Sequence, residues 1–203
     1  MHSTALTRIT LDALSKSVLP NHAAQHGELW MTLFVPQLLD CFKPSSTITS
    51  LTLDHVNFTL FDLPTLRHTL SDLASTVNTL RFLRPYVCPS ALLQFISMFS
   101  HLESTTIHSP SWIKPDKDSP HTCLHQFRGT LRLSELDDGS NPFLSLLKSH
   151  ATAIEKVAVD KCNFHNPRPL QKFLSSTKQS VRSLQVVVGR DGKHSKMSQC
   201  TIF

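Results

Sequence analysis

The residue types that do chemistry gather in a few short stretches of this chain. "HTCLH" sets His121, Cys123 and His125 within five residues, all of them zinc-ligand types. A tetrahedral zinc site needs a fourth ligand and usually wider spacing. Cys162 and His165 form a C-x-x-H pair, yet nothing in the sequence brings it near. The stretch reads as a polar loop, and no metal is expected. "GRDGKHSK" imitates a phosphate-binding loop, but G-x-x-G-K falls two residues short of the required spacing. Asp191-Gly192 reads better as a turn after the last strand. "NFT" makes Asn57 a glycosylation acceptor only in a secreted chain. The final four residues, "CTIF", fit a prenylation box at Cys200, with Arg190, Lys193, His194 and Lys196 supplying a basic patch upstream. A prenyl chain plus basic residues is the two-signal arrangement that stable membrane anchoring needs.

Catalytic signatures are missing. There is no G-x-S-x-G, H-E-x-x-H or G-x-G-x-x-G, and the carboxylates are dispersed. The chain reads as a non-enzyme with no cofactor. Its net charge of +5 would suit an anionic partner, but outside the tail the basic residues are scattered. Trp30, Tyr86 and Trp112 lie too far apart to make a base-stacking platform, so no nucleic acid is expected.

Composition constrains the elements that must position any site. In 203 residues, 40% are hydrophobic and 17% charged, the balance of a folded chain. Five glycines against twelve prolines favour many short elements with proline-marked starts. The five cysteines show no paired spacing and read as reduced thiols in an intracellular protein, cytoplasmic or nuclear, or membrane-associated if prenylated. The N-terminus lacks the apolar core of a secretory signal. The longest apolar run, around "LWMTLFV", is far too short to span a bilayer.

"ITSLTLDHVNF" at 48–58 and "IEKVAVDKCNF" at 154–164 share alternating apolar residues, an Asp at the seventh place and a closing Asn-Phe. The pattern apolar-x-x-apolar-x-apolar recurs, with lapses at Thr105 and Arg128, from starts at 6, 48, 77, 102, 128, 154 and 181. After the first interval the spacings are 29, 25, 26, 26 and 27. Alternation within each segment predicts a strand. Between the segments, Asn141-Pro142 and Asn166-Pro167 read as N-cap plus first helical residue, and Pro89 opens a third helix. Leu63, Leu66, Leu70 and Leu73 share one helical face. The first interval, 12–47, reads as a loop and helical pieces broken near Pro36. The stretch 109–126, with three prolines, reads as an exposed loop.

This unit resembles the leucine-rich-repeat family, L-x-x-L-x-L-x-x-N/C-x-L, which "IEKVAVDKCNF" meets through Cys162 and Phe164 and "ITSLTLDHVNF" meets except at Val56. The proline-opened units look more specifically like the repeat regions of fungal F-box/leucine-rich-repeat proteins, although no F-box opening is visible. The resemblance implies an α/β solenoid over residues 1–188, with about seven irregular units and parallel strands on one face, followed by a basic tail at 189–203. It further implies a protein-protein interaction module. In that family the repeats hold the substrate of a ubiquitin ligase, and an F-box, were one present upstream, would dock the adaptor.

Alternation turns every second strand residue outward, and the partner-binding face is expected there. Its candidate residues are Arg8, Asp12, Thr52, Asp54, Arg81, Thr106, His108, Arg132, Lys156, Asp160 and Gln185. The other expectation is a peripheral adaptor held on a membrane through Cys200.

Overall fold

The computed structural model describes residues 8–12, 48–60, 66–68, 70–114, 128–150 and 153–187. Among the described residues the named elements are nine strands and four α-helices. The strands are β1 (Arg8–Asp12), β2 (Ser50–Asp54), β3 (Thr79–Leu83), β4 (Tyr86–Val87), β5 (Ser104–His108), β6 (Ser111–Trp112), β7 (Arg128–Ser134), β8 (Ala153–Asp160) and β9 (Ser183–Val187). The helices are α1 (Ser71–Thr76), α2 (Pro89–Ile96), α3 (Asn141–His150) and α4 (Arg168–Thr177).

The seven segments marked by the apolar pattern are seven strands of one sheet, in the order β1-β2-β3-β5-β7-β8-β9. Every registered pair is parallel. The sheet therefore advances in chain order without closing into a barrel. Parallel neighbours need a crossover; α1 lies in the one from β2 to β3, α2 in that from β3 to β5, α3 in that from β7 to β8 and α4 in that from β8 to β9.

Register aligns the inward residues into two apolar columns. One runs Leu51, Leu80, Thr105, Leu131, Val157, Leu184, and the next Leu53, Phe82, Ile107, Leu133, Val159, Val186. Thr105 fills its slot at 1% exposure. Leu73, Leu92, Leu93, Phe95, Phe143, Leu144, Leu147 and Phe173 from the helices close the same core. Phe95 is central to it, meeting Phe58, Phe82 and Phe99 at ring-centroid distances of 5.2, 5.8 and 5.4 Å.

Arg128, at the start of the fifth unit, is exposed, because the register shifts at Gly129/Thr130. Gly129 adopts φ +71, and a Cβ there would stand 2.2 Å from the Glu103 carbonyl oxygen. Only glycine lets the two backbones approach so closely.

Three local expectations are corrected. Asn141 is no cap: its backbone is helical, and its buried Oδ1 has no hydrogen-bond partner. Asp137 caps the preceding 3-10 turn instead, accepting from the Gly139 N–H at 3.0 Å, so the chain is already coiled when it reaches Asn141. The stretch 109–126 is not wholly loop. Ser111–Trp112 pairs with Tyr86–Val87, and the Trp112 ring stacks on Phe143 at 5.0 Å, because a large apolar ring gains more from the core than from water. At Asn166-Pro167 the helix starts one residue later than expected: Pro167 is the N-cap of α4, and Asn166 ahead of it accepts from the Arg168 N–H at 3.2 Å through Oδ1. The interval 13–47 lies outside the described residues.

Candidate partner-binding face

Five strands of the large sheet, β2, β3, β5, β7 and β8, end in the same device. The residue just past each takes positive φ: His55 (54), Arg84 (50), Ser109 (49), Glu135 (54) and Lys161 (50). Its N–H donates to the last carbonyl of the following strand, as from His55 to Leu83, Arg84 to His108, Ser109 to Ser134, Glu135 to Asp160 and Lys161 to Val187, at 2.8–3.1 Å. The left-handed residue turns the chain through a corner. Two positions later the backbones pair again, as Asn57 with Tyr86, β4 with β6, and Asp137 with Asn163. None of the five residues is glycine, so composition carried no sign of this corner.

The corner also builds a side-chain ladder. Arg84 reaches back to Asp54, donating to both carboxylate oxygens at 3.0 and 2.9 Å. His55 Nδ1 lies 3.0 Å from the same carboxylate. Two steps on, His108 Nε2 stands 3.7 Å from Glu135 Oε2. In both rungs the last residue of one strand meets the residue past the end of the next, with the carboxylate on the earlier strand in the first and past the later strand in the second.

Two residues before the strand ends lies the outward row Thr52, Arg81, Thr106, Arg132, Ala158, Gln185. Arg81 and Arg132 are exposed on either side of Thr106. Strands about 4.8 Å apart put their Cα atoms roughly 10 Å from one another. Arg8 and Lys156 are exposed in the column at the strand starts, Asp160 and Gln185 are half-buried, and Asp12 stands opposite Asp54 in register.

Thr52 departs from expectation. It is 6% exposed, and Ser50 beside it 8%. The register seats Thr52 between Thr10 and Arg81, and a short side chain flanked on both sides keeps little surface of its own. Thr52 is a floor residue rather than a contact residue.

The other chemistry-bearing groups fall elsewhere. Cys162 is half-buried and gives its thiol proton to the Asp160 carbonyl; burial, with the Asp160 charge adding, pushes its pKa up. That is the profile of an inert thiol. His165 bonds Asp138 through Nδ1 at 2.8 Å, and the same carboxylate accepts from the His165 and Asn166 N–H groups. The Asn166 amide leads in holding the Asp138 carboxyl below its ordinary value of 3.8. This is a loop clamp ahead of α4, with no nucleophile against it. Asn57 Oδ1 is engaged by the Thr59 N–H and hydroxyl.

No three metal-ligand side chains come together among the described residues. No helix among them is long and apolar enough to cross a membrane. His121, Cys123, His125, Asp191, Gly192 and Cys200 lie outside the described residues.

No protein-family model matches this sequence, and no curated protein is similar enough to count as a relative.

Proposed function

We propose that this chain is a leucine-rich-repeat-like solenoid and a non-enzymatic recognition module, with its protein partner lying across the outward strand face. The observation that carries the reading is the asymmetry of the parallel sheet. One face is sealed by helices, while the other presents Arg81, Thr106, Arg132 and Gln185. Parallel sheets are ordinarily covered on both faces. A parallel sheet that the described residues leave uncovered on one side supports the reading as a repeat array, whose broad surface suits a macromolecular partner better than a small substrate. Arginines in such a face supply the forked, charge-assisted contacts that dominate many interfaces.

Capture of partners by the full chain, compared with Thr106→Trp, tests the reading. A bulky ring at the centre of the face should abolish the specific partner and leave the fold intact. A partner set unchanged by Thr106→Trp would refute the face as the binding surface. A ubiquitin-ligase adaptor within the Trp-sensitive set would identify the module as a ligase substrate receptor.

A further inference from the structure

On the helical side, α3 and α4 flank an open groove of about 520 Å³, lined by Lys148, Arg168, Gln171, Lys172, Ser175 and Ser176. Every lining residue is polar, three are cations, and none is acidic. The volume falls within the range of small-ligand clefts.

Helical spacing explains the convergence. Positions 168, 171, 172 and 175 form one stripe of α4, at i, i+3, i+4 and i+7. From Arg168 to Ser175 that stripe runs about 10 Å at the rise of an α-helix. Lys148 faces it from the last turns of α3. Neither "NPFLSLLKSH" nor "RPLQKFLSST" contains a carboxylate that could neutralise the groove. The Asp138 carboxylate is occupied by the amides and ring of His165 and Asn166. Like charges one turn apart, as at Arg168 and Lys172, are mildly destabilising in an empty helix. The groove thus concentrates positive charge that the described residues leave uncompensated.

We propose that the α3–α4 groove binds a compact polyphosphate, either free in solution or as a phosphorylated lipid headgroup. A single carboxylate would leave two of the three cations unmatched, whereas linked phosphates carry several charges over the length of this stripe. The Arg168 fork suits a phosphate edge-on, and Lys148 and Lys172 act as point charges on either wall. Gln171 and Ser175 add neutral donors. The site lies on the face of the sheet opposite the proposed partner surface and is independent of it.

The test is titration of the full chain with sodium tripolyphosphate, read by calorimetry, for wild type, Lys172→Glu, Arg168→Gln and the control Lys178→Glu. Lys178 is exposed just past α4 and does not line the groove. Lys172→Glu and Arg168→Gln should each weaken binding by about tenfold or more, the loss of one charge-assisted contact. Lys178→Glu should leave it unchanged. Co-sedimentation with phosphatidylcholine vesicles doped with a phosphoinositide, against vesicles doped with phosphatidylserine, separates the two sources. Phosphoinositide-selective capture lost in Lys172→Glu supports the headgroup, and tripolyphosphate binding without capture supports the free ligand. Equal weakening by Lys178→Glu, or neither binding nor capture by a wild type whose circular dichroism shows it folded, would overturn the proposal.

Discussion

At five corners the chain places His, Arg, Ser, Glu and Lys at positive φ, where a side chain crowds its own backbone. The N–H bond to the next strand recurs each time, so the conformation is fixed by the ladder and the residue type is left open. That is why sequence reading, which looks for glycine at such places, passed over these corners. It found the outward row by alternation alone, and it missed that Thr52 is walled in, because the height of neighbouring side chains depends on register. The corner makes a prediction at Lys161, which has no ion pair among the described residues. Lys161→Gly should be neutral or stabilising by up to about 1 kcal/mol, strain relief being offset by chain entropy. Lys161→Val should lose about 1–2 kcal/mol, since a branched side chain tolerates positive φ worst. Urea unfolding midpoints of the two variants measure the difference. Asp138 makes a second. Its folded pKa is depressed, chiefly by the Asn166 amide, so its stabilising contribution is complete above 3.8 and is lost as pH falls through the folded value. The midpoint of Asp138→Asn should lie below that of wild type near neutrality, and the two should converge in acid. A gap that persists unchanged at low pH would show that the carboxylate charge plays no part.

Strands and helices were legible because apolar period reports burial directly. Leu51, Leu53, Leu131, Leu133, Val157 and Val159 alternate and are all buried. The helix opened by Pro89, and the one that begins just after Pro167, follow from proline chemistry, which costs nothing at a helix start. The same logic failed at Asn141, because an Asp137-capped turn had already begun the coil three residues earlier. It failed too around Trp112, where prolines on both sides and charges after it hid a two-residue strand. Trp112 holds this corner to the next unit: its indole N–H donates to the Ser140 hydroxyl at 2.7 Å, and Ser140 has no exposed surface. Trp112→Phe keeps a ring against Phe143 and strands that hydroxyl. The expected loss is about 1–3 kcal/mol, the penalty for a buried polar group without its partner. Adding Ser140→Ala should recover part of the loss, since removing both partners is milder than removing one. If the double variant is no more stable than Trp112→Phe, the hydrogen bond is not the source of the effect.

The sheet order makes each unit depend on the units before and after it, and the principal contacts between elements all join successive strands or successive helices. Length and charge reveal nothing of this, whereas the near-constant spacing of the apolar pattern reveals almost all of it. What spacing cannot convey is how well the last unit is sealed. Among the described residues β9 has a single neighbour, β8, and all five of its residues are half-buried. Beneath it, Phe173 of α4 is fully buried in the core. Phe173→Ala removes a core ring, worth about 3–5 kcal/mol in a well-packed site. In a structure held by neighbour contacts that loss stays local, so amide exchange should accelerate across β9 and β8 and barely change in β3. In wild type the β9 amides should already exchange faster than those of β5 and β7, which have neighbours on both sides. Equal acceleration of β3 and β9 in Phe173→Ala would mean that the sheet opens as one cooperative unit, and neighbour-by-neighbour stabilisation would then be the wrong description of this molecule.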